Sequence, residues 1–156
     1  MNKKIIIVLL ILFVTVSSMS TASAWWIFGG GNDVTVNGLS FHLPEGFDTD
    51  NPVSSISKET YENRVYMNTE NKDTVEIHVE DKHMEDSDII NSLIQNHYEK
   101  QSIDGKEGYY KMDIYSKNVE FIYIDNDKLV SITVPYVYDQ YGDDFKQYDE
   151  LLAEII

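Results

Sequence analysis

The chain has 156 residues, 12 basic against 27 acidic side chains, a net charge of −15 and no cysteine. That length suffices for one domain with its own core. The charge speaks against nucleic acid and anionic lipid as partners, which it would repel, and the missing thiol excludes disulfides, thiol catalysis, Cys-based metal sites and a lipid-modified N-terminal cysteine.

Residues 1–24 read as a secretory signal peptide. Lys3 and Lys4 give a charged start, residues 5–16 are apolar except for Thr15, and Ala22-Ser23-Ala24 is a small-residue cleavage site. The run is short for a membrane span, which needs about 20 residues. The alternative is an uncleaved anchor on the outer face of the cytoplasmic membrane, extended by Trp25-Trp26-Ile27-Phe28, since paired tryptophans suit a membrane interface. Cleavage after Ala24 removes two lysines and no acid, leaving ten cations against 27 acids and a charge of −17. The expectation is a secreted or cell-surface protein that meets the membrane only through an uncleaved N-terminal segment. Residues 25–32 read as a Gly-rich linker, with Gly29-Gly30-Gly31 as a hinge. No Lys-Ser/Thr follows to make it a phosphate loop, and no Asn-x-Ser/Thr site for a glycan is present.

Residues 33–156 read as a single domain. Residues 34–36 and 39–43 flank Asn37-Gly38, the strongest short hairpin signal. Residues 44–47 turn the chain, and the polar stretch 48–57, with Pro52 inside, reads as a loop. Residues 59–69 form a strand. Residues 74–80 form a clearer one, with Val75, Ile77 and Val79 on one face and Glu76, His78 and Glu80 on the other. Ser87 is the expected cap of a helix with Asp88 in its first turn. Ile89, Ile90, Leu93, Ile94 and His97 share a stripe of that helix, and Lys100 suits its negative end. Residues 103–108 read as a glycine-containing turn.

The stretch 109–135 is the centre of the expected sheet. Tyr110, Met112 and Ile114 oppose Lys111 and Asp113. Val119, Phe121 and Tyr123 oppose Glu120, Ile122 and Ile124, so this strand is apolar on both sides and suits a covered central position. Val130, Ile132 and Val134 oppose Ser131 and Thr133, and Pro135, lacking an N–H, ends the run. Residues 116–118 and Asp125-Asn126-Asp127 carry turn chemistry. A tyrosine-bearing loop, 136–142, leads to a final helix capped by Asp143 or Asp144, with Phe145, Tyr148, Leu151, Leu152, Ile155 and Ile156 on its apolar face. Strands and helices do not alternate as βαβ units. The fold class is therefore α+β, a mostly antiparallel sheet of about six to seven strands covered by helices.

Chemistry is thinly marked. His78, Glu80, Asp81 and His83 are the candidate metal ligands, but their spacing matches no familiar zinc motif, and exposed polar residues are the simpler reading. His97, on the apolar stripe, reads as partly buried and hydrogen-bonded. Asp48-x-Asp50 and Asp125-x-Asp127 begin like calcium loops without the Gly and distal Glu of an EF-hand. They read as turns, and weak calcium binding is the only cofactor expectation. No Gly-x-Ser-x-Gly elbow or Ser/His/Asp spacing occurs, which argues against an enzyme. Eleven tyrosines crowd toward the last third. Tyrosine offers a large contact area with a polar tip, yet it also packs well in sheets. The exposed candidates for ligand binding are Tyr136, Tyr138 and Tyr141.

The segment Leu39-Ser40-Phe41-His42-Leu43-Pro44-Glu45-Gly46-Phe47 resembles the opening of the Mog1/PsbP-like fold, where a strand of the form F-x-x-P ends in an aromatic after a turn. The order of hairpin, strand pair, helix, three-strand meander and terminal helix is similar too. The resemblance covers residues 33–156 and implies an antiparallel sheet between helices. Its members include secreted or tethered proteins, photosystem-associated subunits and a nuclear transport factor. They share no catalytic residues, so no site carries over. In its Lys/Asn/Ile-rich style the chain also resembles small exported proteins of methanogenic archaea. The function expected is an exported, non-catalytic binding or interaction module for a protein or small ligand. The alternatives are a calcium-binding protein and a hydrolase with an unrecognised carboxylate site.

Overall fold

The computed structural model describes residues 32–135 and 145–156, and the side chains of all of these except 145–147. The predicted signal, the linker up to residue 31, the tyrosines Tyr136, Tyr138 and Tyr141, and the capping candidates Asp143 and Asp144 lie outside the described residues. Residues 32–156 form one compact unit. Among the described residues no helix is long and apolar enough to cross a membrane.

The first two strands, β1 (Asn32–Val36) and β2 (Leu39–Leu43), form a separate antiparallel hairpin. Asn32, assigned to the linker from sequence, already belongs to β1. Asn37 and Gly38 both take positive φ, 43° and 83°. This is the turn whose twist matches paired strands, and it is why Asn-Gly signals a hairpin. The other seven strands make one sheet: β3 (Ser54–Ser57), β4 (Tyr61–Met67), β5 (Thr74–Asp81), β6 (Glu99–Ile103), β7 (Lys106–Asp113), β8 (Asn118–Asp125) and β9 (Lys128–Pro135). Their order is β3-β4-β5-β9-β8-β7-β6, with every neighbour antiparallel. Helix α1 (Asp86–Gln95) lies between β5 and β6, and helix α2 (Phe145–Ile155) follows β9. The arrangement is α+β.

One face of the sheet is the core. Val75, Ile77 and Val79 of β5, Val130, Ile132 and Val134 of β9, and Val119, Phe121 and Tyr123 of β8 all point to it and are buried. The hairpin meets them with Val34, Val36, Phe41 and Leu43, and α2 with Tyr148, Leu152 and Ile155. Each such side chain contributes about 1.5–3 kcal/mol by leaving water. The alternation predicted for β5, β8 and β9 is the alternation that builds this layer.

A polar clamp seats the hairpin. The Asn37 backbone N–H donates to Glu62 Oε2 at 2.6 Å, and the Asn37 side-chain amide donates to the Val79 carbonyl at 3.2 Å. Glu62 Oε1 also accepts from Arg64 Nε at 2.8 Å. Burial pushes the Glu62 carboxyl up, but the Asn37 N–H and the Arg64 guanidinium outweigh it and hold the carboxyl below its usual range. A depressed folded-state pKa adds stability above the unfolded value and loses it as pH falls through the folded value. The wild type will therefore lose stability between about pH 5 and 3 more steeply than Glu62→Gln. Urea midpoints across that window check it, and parallel curves would contradict it.

Several local expectations are corrected. Ser54–Ser57, read as loop, is an edge strand with all four residues exposed. Pairing with β4 creates it, since Ser-Ser-Ile-Ser has no face to bury. Glu99–Ile103 is also a strand, and the turn of residues 103–108 shrinks to Asp104-Gly105, at φ 46° and 78°. Lys100 accordingly lies in β6, where it pairs with Glu107 at 2.8 Å, and not at the end of α1. Ser87 does not cap α1. The N-cap is Glu85, without a side-chain cap, and Asp86 and Asp88 in the first turn complement the helix dipole instead. Ile94 is exposed, as is Ile114, which lies past the end of β7.

The end of α1 overturns the reading of His97. Tyr98 N–H donates to the Leu93 carbonyl and His97 N–H to the Ile94 carbonyl, each at 3.0 Å. These are the two bonds of a Schellman stop. They put His97 in the left-handed region, at φ 65°, and leave it exposed rather than on the apolar stripe.

Candidate functional site

The other face of the sheet is only partly covered. Leu93 and Ile90 of α1 lie over Tyr109, Ile122, Ile124 and Leu129. Among the described residues, nothing covers the rest, which is polar. A row runs across four strands: Glu76 on β5, Thr133 on β9, Glu120 on β8 and Lys111 on β7. His78 and Ser131 form the next row. With Tyr98, Asp113, Ser116 and Asn118 these side chains line a concavity of about 440 Å³. The sheet's alternation makes the site: residues that send one neighbour into the core send the next into this basin.

Glu120 is its hub. Tyr98 Oη donates to one carboxylate oxygen at 2.5 Å and Ser131 Oγ to the other at 2.7 Å. Burial, with the Glu120 carboxylate beside it, pushes the Tyr98 phenol well above its usual range, so it stays a protonated donor. The Schellman stop aims Tyr98, because it turns the chain out of α1 just before this residue. Lys111 Nζ donates to the Asn96 carbonyl at 3.1 Å and sits 5.3 Å from the centre of the Tyr98 ring. Asn63 Nδ2 donates to Glu76 Oε1 at 2.9 Å. Asp113 Oδ1 accepts from the Tyr115 N–H, which with Ser116 holds that carboxyl below its usual range.

The basin thus presents three carboxylates and one lysine, and that lysine is already engaged. What it can do is accept hydrogen bonds from a polar ligand. Removing the Tyr98 hydroxyl tests the hub: Tyr98→Phe will cost about 1 kcal/mol. With Ser131→Ala it will show coupling of about 0.5 kcal/mol or more, because both donate to one carboxylate. Additive costs in a double-mutant cycle of urea unfolding would contradict the shared hub.

The four candidate metal ligands do not converge as a set. His78 Nε2 and Glu80 Oε2 are 3.5 Å apart on the open face, too long for a good hydrogen bond. Asp81 is the next residue along the strand and lies on its other side. It pairs with Lys128 Nζ at 2.5 Å. His83 is exposed beyond the strand end. Among the described residues no three His, Asp or Glu side chains converge as a metal site. Of the four, only His78 lines the basin.

Of the residues that line the basin, sequence reasoning singled out only His78 as a site candidate and missed the rest, Glu120, Tyr98 and Lys111 among them. The polar parity of β5 and β9 was visible, but Glu120 sits on a strand dominated by apolar residues on both faces. A scan against protein-family models finds no match, and searches of the curated proteins and of the solved structures find none either.

Proposed function

We propose that the domain is a non-catalytic binding module acting outside the cytoplasmic membrane, and that it takes a small polar ligand in the open basin of the sheet. The observation that carries this reading is the polar row Glu76–Thr133–Glu120–Lys111, which the described residues leave uncovered, with Tyr98 fixed above it. Its polar side chains are held in defined orientations by Tyr98, Ser131 and Asn63. The excess of acceptors favours a ligand rich in donors, such as an amine or an amino sugar. The charged start, apolar run and A-x-A site of residues 1–24 support export, and the Phe41-x-x-Pro44 opening followed by Phe47 supports kinship with the Mog1/PsbP-like fold.

Thermal melts with spermidine, glucosamine and calcium chloride, each at millimolar concentration, test the reading. A rise in Tm with an amine that disappears in Glu120→Gln supports it. A rise with calcium alone favours the calcium-binding alternative. No rise with any of the three counts against the basin as a small-ligand site.

A further inference from the structure

Strand β3 ends the sheet and differs from the strand at the opposite edge. β6 contains Glu99 and Lys100, charges of the kind that discourage strand addition. β3 contains none: it reads Ser-Ser-Ile-Ser, and all four residues are exposed. Two large apolar side chains stand beside this edge, Ile56 at 44% exposure and Val53 at 54%.

The hydrogen-bond phase of β3 is fixed. Lys58 N–H donates to the Tyr61 carbonyl at 2.8 Å, and Ile56 pairs with Asn63 in the same register. In an antiparallel ladder bonded pairs alternate with unbonded ones. Ile56 therefore turns its backbone groups to β4, and Ser55 and Ser57 turn theirs outward. Among the described residues, that leaves two N–H and two C=O groups without a partner on an edge without charge.

We propose that this edge pairs with the same edge of a second copy of the chain, extending the seven-stranded sheet across a two-fold axis at Ile56. The register is self-complementary. Ser55 bonds with Ser57 of the partner copy and Ser57 with its Ser55, so all four outward groups are satisfied. The two Ile56 side chains meet as an unbonded pair, the closer type of pair, on the open face of the sheet. Lys58 falls opposite Ser54, so no like charges oppose one another within the strand. Ser55 and Ser57 have no side chains large enough to keep a partner strand away. The short strand makes a small interface, so the association is weak. The net charge of −15 opposes it, and added salt strengthens it.

The absence of cysteine makes the test direct. Across the axis the two Ile56 Cα atoms come about 4.5 Å apart, within the span of a disulfide. Ile56→Cys in the full chain, incubated with oxidised glutathione, will form a disulfide-linked dimer on a non-reducing gel. Ser54→Cys lies on the same face but two residues from the axis, which puts the two sulfurs out of reach. It will cross-link at least about tenfold more slowly. Adding Ser55→Pro to Ile56→Cys removes an outward N–H while leaving the ladder to β4 intact, since edge positions tolerate proline. It will suppress the link to the level of Ser54→Cys. Circular dichroism of each variant shows that the fold is kept. Equal rates for the two cysteine variants, no link in Ile56→Cys at raised salt, or a link indifferent to Ser55→Pro would each overturn the proposal. A foreign extended peptide would then be the remaining occupant of this edge.

Discussion

Gly108→Ala will destabilise the domain by about 2–3 kcal/mol, the usual cost of forcing extra volume into a packed interior. Gly108 lies on β7 opposite Tyr123 of β8. A Cβ there would come within 2.5 Å of Phe121 Cζ and 2.6 Å of the Ile122 carbonyl oxygen. The first neighbour is a fully buried ring and the second is backbone of the adjacent strand. Neither can retreat without moving β8, which carries both the core residues Val119, Phe121 and Tyr123 and the basin residue Glu120. Urea unfolding will show a lower midpoint with an unchanged slope. A change under about 0.5 kcal/mol would mean that the Phe121 ring has room it is not shown to have.

Leu152→Ala will cost about 3 kcal/mol, within the range for a buried leucine truncated to alanine. Leu152 is fully buried, and its neighbour Leu151 only partly. α2 packs against β2, β6 and β9, so its apolar stripe completes the core that the hairpin begins. Leu151→Ala will cost clearly less, by about 1 kcal/mol or more. Equal losses for the two variants would mean that α2 presents a different face to the sheet.

The layered part of the fold was legible in the sequence because it follows from period-two alternation and turn chemistry. Val75, Ile77 and Val79 could face only one way, and Asn37-Gly38 could serve only a tight turn. The edges were not legible. β3 has no apolar alternation, and what makes it a strand is the partner β4 beside it. β6 was hidden for a different reason: Asp104-Gly105 is a turn signal as good as Asn37-Gly38, but Glu-Lys-Gln-Ser before it looks like a helix end. His97 sat at helical spacing from Leu93, and periodicity does not show where a helix stops. The Schellman bonds do, and they also determine where Tyr98 goes.

The candidate site was legible only as polar parities, those of β5 and β9 and the Lys111/Asp113 side of β7. Glu120 and Lys111 join them because β8 lies beside β9 and β7 beside β8, in register, a long-range fact that no local pattern carries. The four residues His78, Glu80, Asp81 and His83 do not converge for local reasons: Glu80 and Asp81, consecutive in β5, point to opposite faces, and His83 lies beyond the strand end.

The most direct measurement is a ¹⁵N–¹H NMR titration of the protein with spermidine, followed by the same titration with Glu120→Gln. Binding in the open basin will shift the amides of Glu76, Tyr98, Lys111, Glu120 and Ser131 together and leave Val36, Phe41 and Leu152 unmoved, and the shifts will weaken in the variant. Shifts spread over acidic residues on every surface, or unchanged by Glu120→Gln, would mean that spermidine meets only the general negative charge and that the basin is not its site.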